Sequence, residues 1–350
     1  MINRSFRVLL SLSCLIVVTS CDDGAGFAGP IGGPPAAGPP PPPPPAPPPQ
    51  GSYVLLTSET GDFVGAGESY VYSKADSVLT VTVEDARLTV DIDGDEWWTG
   101  EFQLPDALLQ LEAGTYPNLT RYPFHDAIVG GLSWTGEGRG CNTLDGSITI
   151  DSVVYDAGAA MTDINLSFEQ YCEGNSPALR GEVHWDASDT TTPPGPAADP
   201  GNLWEPMQGT TPATDNYIYL TSQQGDFIGG GADYLYTDAT AAITVDATDG
   251  RVSVSVTGAE GWGGEFQGMN FLTELEAGYY ADLQRYPFHN PVKGGLSWSG
   301  EGRGCNTLTG WFVVDSVTYN GAAVTAIDLR FEQHCEGNPP GLFGEIHWVQ

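Results

Sequence analysis

RYPFHDAIVGGLSWTGEGRGCNTL at residues 121–144, followed by FEQYCEGN at 168–175, decides the reading of this chain, because the same text returns as RYPFHNPVKGGLSWSGEGRGCNTL at 285–308 and FEQHCEGN at 331–338. Arg285 stands 164 positions after Arg121 and Cys305 164 after Cys141, whereas Cys335 stands 163 after Cys172, so one residue is deleted between them. The chain is two copies of one domain, at 52–186 and 216–350, joined by a linker at 187–215.

Outward from these blocks, the apolar residues alternate. Leu79, Val81 and Val83 are followed by Leu88, Val90 and Ile92, and the second copy answers with Ile243, Val245 and Ala247, then Val252, Val254 and Val256. A period of two means strands with one buried face. Asp249-Gly250 between the last two runs is a hairpin turn signal. Further strands read from Ile148 to Val154, Ile164 to Cys172 and Gly181 to Trp185, and no amphipathic helix pattern appears. Many short strands with Gly-rich turns predict an all-β protein: two tandem antiparallel β-sandwich or flattened-barrel domains. Parity puts Leu166 and Phe168 on the Cys172 face, Leu329 and Phe331 on the Cys335 face, and Trp98, Trp134, Val183 and Trp185 in the core. Trp97 and Trp311 take the outward parity.

Of six cysteines, Cys14 and Cys21 lie near the start and the others form matched sets, Cys141 with Cys172 and Cys305 with Cys335. Even pairing predicts one disulfide per domain and an oxidising compartment. Each bridge closes about 30 residues, worth about 3.5 kcal/mol by the chain-entropy relation.

The N-terminus agrees with export. Arg4 and Arg7 precede an apolar run from Val8 to Val18, too short for a ~30 Å hydrocarbon core, and small residues follow, which is the layout of a signal segment over 1–20. Val18-Thr19-Ser20-Cys21 resembles the lipobox of bacterial lipoproteins. That resemblance implies lipidation of Cys21, a membrane partner through the lipid, and a place in the cell envelope facing periplasm or exterior. Residues 21–51 read as a Pro/Gly-rich stalk, which as polyproline II at about 3.1 Å per residue reaches roughly 90 Å. The linker at 187–215 reads as a second spacer with Trp204 loosely packed. The repeated block itself resembles a module of bacterial secreted and lipid-anchored proteins, a resemblance that implies export and no particular activity.

A net charge of −33 and a pI near 4.1 exclude nucleic acid as a partner, since phosphate binding needs concentrated Lys and Arg. No cofactor is implied, with loosely held Ca²⁺ as the one alternative. Asp91, Asp93, Gly94, Asp95 and Glu96 look like the start of a calcium loop but lack its distal Glu, so a hairpin turn accounts for them better.

Three sets of residues are candidates for function. Arg121, Tyr122, His125, Glu137, Arg139 and Asn142, with their counterparts Arg285, Tyr286, His289, Glu301, Arg303 and Asn306, form the densest shared block. Arginines beside carboxylates there suggest bidentate pairs, serving either the fold or a ligand. A hairpin register that sets Phe168 opposite Trp185 brings Glu332, His334, Glu345 and His347 onto one outer patch, a composition zinc accepts. Trp97 and Trp311 offer aromatic faces to sugars. No nucleophile stands beside a base in a known motif. The expected function is therefore non-catalytic binding of glycan or envelope protein, two weak sites on one tether gaining by effective concentration. The alternatives are a hydrolase using the loops 121–142 and 285–306, or a structural spacer.

Overall fold

The computed structural model describes residues 49–174 and 177–350, so the signal segment, Cys21 and the stalk up to residue 48 lie outside the described residues. The first repeat runs Tyr53–Ser58 (β1), Ser69–Ser73 (β2), Val78–Glu84 (β3), Arg87–Asp93 (β4), Trp97–Gln103 (β5), Gly114–Arg121 (β6), Gly131–Gly136 (β7), Leu144–Tyr155 (β8), Met161–Cys172 (β9) and Ala178–Asp186 (β10). The second runs Tyr217–Ser222 (β11), Asp233–Thr237 (β12), Ala242–Thr248 (β13), Arg251–Thr257 (β14), Gly261–Gln267 (β15), Gly278–Arg285 (β16), Gly295–Gly300 (β17), Leu308–Asn320 (β18), Ala323–Cys335 (β19) and Leu342–Val349 (β20).

Each repeat is one ten-stranded sheet, ordered β2-β1-β10-β9-β8-β6-β7-β5-β4-β3 and its equivalent in the second copy. All pairings are antiparallel except a short parallel contact of β6 with β7, Thr120 facing Gly131 and Arg121 facing Leu132. The end strands β2 and β3 lie against each other without pairing, so the sheet nearly closes into a flattened barrel. Trp98 Nε1 donates to the Tyr72 hydroxyl at 2.7 Å and Tyr72 donates to Glu96 Oε2 at 2.7 Å, which ties edge strand β2 to the β4–β5 hairpin. Tyr236 repeats the arrangement with Trp262 and Glu260, and burial pushes its phenol up to about 12.

The alternating residues fill the interior as the parity requires: Leu88, Val90, Ile92, Trp98, Phe102, Trp134, Leu166, Phe168 and Val183 are all buried, while Trp185 is only half-buried at the core margin. One polar side chain joins them. Gln170 is fully buried, accepts from the Trp134 N–H at 2.9 Å and donates to its carbonyl at 2.9 Å, supplying the ladder bonds that β7 lacks on that side. Gln333 does the same for Trp298. The disulfides Cys141–Cys172 and Cys305–Cys335 form as the pairing predicts and fasten the loop after β7, and after β17, to the end of β9 and β19.

Two expectations are corrected. The β9–β10 register sets Phe168 opposite Gly181 and Leu166 opposite Val183, not Phe168 opposite Trp185. The reason is steric: a Cβ on Gly181 would lie 2.1 Å from the Phe168 ring, so only glycine lets that ring lie across the neighbouring strand, and Gly344 does the same for Phe331. The linker, secondly, is packed rather than loose. Ala197 exchanges both backbone bonds with Tyr279 of β16 (2.9 and 2.7 Å), and the Trp204 ring sits 5.4 Å from Phe343 and 6.4 Å from Tyr219. Arg330, 6 % exposed, holds this strap through Asp199 and the Trp204 carbonyl while pairing with Asp315 in its own repeat.

Candidate functional site: a cleft between the repeats

Strand β7 divides the shared block into two ends, about 17 Å apart at ~3.3 Å per residue. At its start, Arg121 donates to the Asn142 carbonyl (3.1 Å) with its guanidinium 5.4 Å from the Phe124 ring, and Tyr122 stacks on His125 at 5.3 Å while accepting a bond from Arg87. At its far end Glu137 and Gly138, with φ of +50° and +70°, make a two-residue hairpin turn. Glu137 Oε1 accepts from the Trp97 N–H at 3.0 Å, which anchors a residue held in the left-handed region. Arg139 donates to the Val64 carbonyl at 2.7 Å and lies 5.7 Å from the Trp98 ring.

The second copy reproduces these contacts except one, since Arg303 Nε has no hydrogen-bond partner where Arg139 Nε binds the Val64 carbonyl. Arg285 binds the Asn306 carbonyl (3.1 Å) and covers Phe288, Tyr286 stacks on His289, Glu301 accepts from Gly261 N–H (2.8 Å) and Arg303 lies 5.6 Å from the Trp262 ring. The paired glycines explain the close fit of the imidazole: a Cβ on Gly131 or Gly295 would lie 2.6 or 2.5 Å from Cγ of His125 or His289. Bidentate pairing of these arginines with carboxylates is not found among the described residues. They bind backbone carbonyls and ring faces, so most of the recurrence is explained by the fold.

The repeats add something neither has alone. The β4–β5 turn of repeat 1 meets the 284–293 segment of repeat 2. Lys293 Nζ is 2.6 Å from Asp95 Oδ2, Asn290 donates to Asp95 Oδ1 (3.0 Å) and to the Asp76 carbonyl (2.9 Å), and Gln284 donates to the Asp95 carbonyl (3.1 Å). Beside this contact lies a cleft of about 730 Å³ lined by Asp93, Asp95, Trp97 and Glu137 from repeat 1 and by Gln284, Arg285, Phe288, His289 and Asn306 from repeat 2. The far end of one shared block thus faces the near end of the other. His125 and Glu137 of one copy do not share this cleft, and neither Glu301 nor Arg303 lines it.

Its walls combine apolar and polar groups. Trp97 is 51 % and Phe288 73 % exposed. Burial pushes the Asp93 carboxyl up, an effect that the nearby His289 opposes, and burial pushes the His289 imidazole down against the pull of Asp93. Asp95 is neutralised by Lys293, and Glu137 is committed to the Trp97 N–H.

The proposed metal ligands are placed otherwise. The Asp91–Glu96 segment is the β4–β5 hairpin, with Asp93 facing Trp97; Asp91 accepts from Thr99 (2.7 Å), Asp95 binds Lys293 and Glu96 accepts from Tyr72. Nor does the zinc patch assemble. In the true register Glu332 faces Phe343, Glu345 faces Arg330 and His347 faces Asp328. His334 contacts Glu332 at 2.8 Å and His347 contacts Asp328 at 2.5 Å, some six residue pairs apart, about 20 Å along the sheet. Trp311 is half-buried and donates to Glu332 (2.9 Å) rather than standing free. The one group of three metal-ligating residues among the described residues, Cys305, Cys335 and Glu336, has both sulfurs in the disulfide.

Asn290 and Lys293 were missed by a reading that looked for identity between the copies. The signal was difference: Asn290 and Lys293 replace Asp126 and Val129, and Asp95 and Trp97 are replaced by Ala259 and Gly261. The chain matches no protein-family model, no curated protein and no solved structure.

Proposed function

We propose that this chain is an exported, lipid-anchored envelope protein that binds a glycan, without turning it over, in the cleft between its repeats. The observation carrying this reading is Trp97, an indole exposed at the wall of a cleft that also presents the planar hydrogen-bonding side chains of Gln284, Arg285 and Asn306. A pyranose offers an apolar face for stacking and hydroxyls for Arg285, Asn306 and Gln284. The charge of −33 repels anionic polymers, which favours neutral sugars. Two disulfides and the Val18–Cys21 segment support export. Duplication then serves to build one composite cleft instead of two equal weak sites.

The second reading, a hydrolase, is favoured by one feature: Asp93, whose raised pKa suits a general acid, lies in the same cleft as Glu137. Calorimetric titration of the full chain with neutral cell-wall oligosaccharides distinguishes the two. Saturable binding that W97A weakens about tenfold or more supports the binding reading. Release of new reducing ends by the wild type but not by D93N replaces it with the second, and no heat with any saccharide defeats both. Mass spectrometry of the N-terminal peptide tests lipidation of Cys21.

A further inference from the structure

The stacking of the repeats leaves two faces open, and they are the homologues of the two that meet. Val292 is 5 % exposed and Asn290 1 % exposed because repeat 1 covers them, whereas their counterparts Ile128, 83 % exposed, and Asp126 lie open on repeat 1. At the other end, Gly258 at the repeat 2 hairpin tip is exposed where its counterpart Gly94, beside the Asp95–Lys293 contact, is buried.

We propose that the open face of repeat 1 docks on the open hairpin tip of repeat 2 in a second copy of this chain, so that chains add head to tail in the geometry already seen between the repeats. The matched replacements at the two faces argue for this occupant. The ion pair Lys293–Asp95 becomes Val129 against Ala259, charge for charge exchanged for apolar for apolar. Lys293 and Asp95 share a recess with Val71, whose counterpart Leu235 is 43 % exposed and ready to cover Val129. A contact between two different faces does not close on itself, so further copies add by the same operation.

One difference sets its strength. Asn290 donates to a backbone carbonyl of repeat 1, that of Asp76. Asp126 in the same place has no proton to donate to the matching carbonyl of Thr240, so the contact between chains is weaker than the contact within one. Overall repulsion also opposes it, though salt at 0.15 M screens charges beyond ~8 Å.

The test is sedimentation equilibrium of the full chain at 0.15 M salt with D126N and I128K. D126N restores the donor and is expected to lower the dissociation constant about tenfold relative to the wild type. I128K, at an exposed position where melting temperature serves as the folding control, is expected to abolish association in either background. A D126N chain that stays monomeric at every concentration, or association that I128K leaves intact, overturns the proposal and leaves this face to a different partner.

Discussion

Lys293 Nζ lies 2.6 Å from Asp95 Oδ2 across the boundary between the repeats, and neither residue has a charged counterpart in the other copy. Both carboxylate and ammonium are partly exposed, so the pair alone contributes about 0.2–1 kcal/mol. The buried neighbour Asn290 contributes more, because its amide bridges Asp95 and the Asp76 carbonyl.

N290D, which copies the residue of repeat 1 into repeat 2, should therefore weaken the contact between repeats by about 1–3 kcal/mol, since a carboxylate would face a carbonyl without a proton between them. Small-angle scattering is expected to show a larger radius of gyration for N290D and no change for D126N at low protein concentration.

For the cleft, W97A should reduce saccharide affinity about tenfold or more, the usual scale for losing one stacking aromatic. Thermal stability should change by less than ~0.5 kcal/mol because the ring is exposed. Titration and a melting curve on the same sample check both halves.

Inside the barrel, Q170A should cost about 1–3 kcal/mol by leaving both the Trp134 N–H and its carbonyl buried without partners. Urea denaturation measures it, and Q333A should behave alike through Trp298.

The pH dependence has a definite sign at the cleft. His289 is harder to protonate when folded, so below its unfolded value of about 6.5 the unfolded chain binds more protons and stability falls as pH falls. Asp93, with its folded pKa raised, acts oppositely in a lower window, stabilising the fold below its unfolded value near 3.9 and losing that contribution as pH rises through the folded value. H289Q should accordingly lose less stability than the wild type between pH 7 and pH 5 in urea melts.

Removing one bridge by C305S with C335S should lower the stability of repeat 2 by about 3.5 kcal/mol, the loop-closure value for a sequence separation of 30. The expected observation is an earlier separate transition in calorimetry while repeat 1 melts as before.

Much of the fold was legible because strand periodicity is local. Leu88, Val90 and Ile92 announce their burial within five residues, and Asp249-Gly250 announces its turn, with φ of +49° and +70°. The β9–β10 register was not legible, because parity admits every even shift, and only the contact of the Phe168 ring with Gly181 selects one. That shift separates His334 from His347 and dissolves the zinc patch. At the cleft, Trp97 was marked by its outward parity, while Phe288 and Lys293 became meaningful only beside Asp95, which lies in the other repeat.

Sequence by itself determined that this protein is two strand-built modules, each closed by its own disulfide, since duplication, alternation and cysteine pairing are properties of neighbouring residues in one chain. Tertiary structure alone decided that the modules stack with unlike ends together and form the cleft beside Asp95. The reason is that the stacking rests on a few substitutions, Asp95, Asn290 and Lys293, whose side chains acquire a function only when two surfaces nearly 200 residues apart in sequence are brought within hydrogen-bond distance.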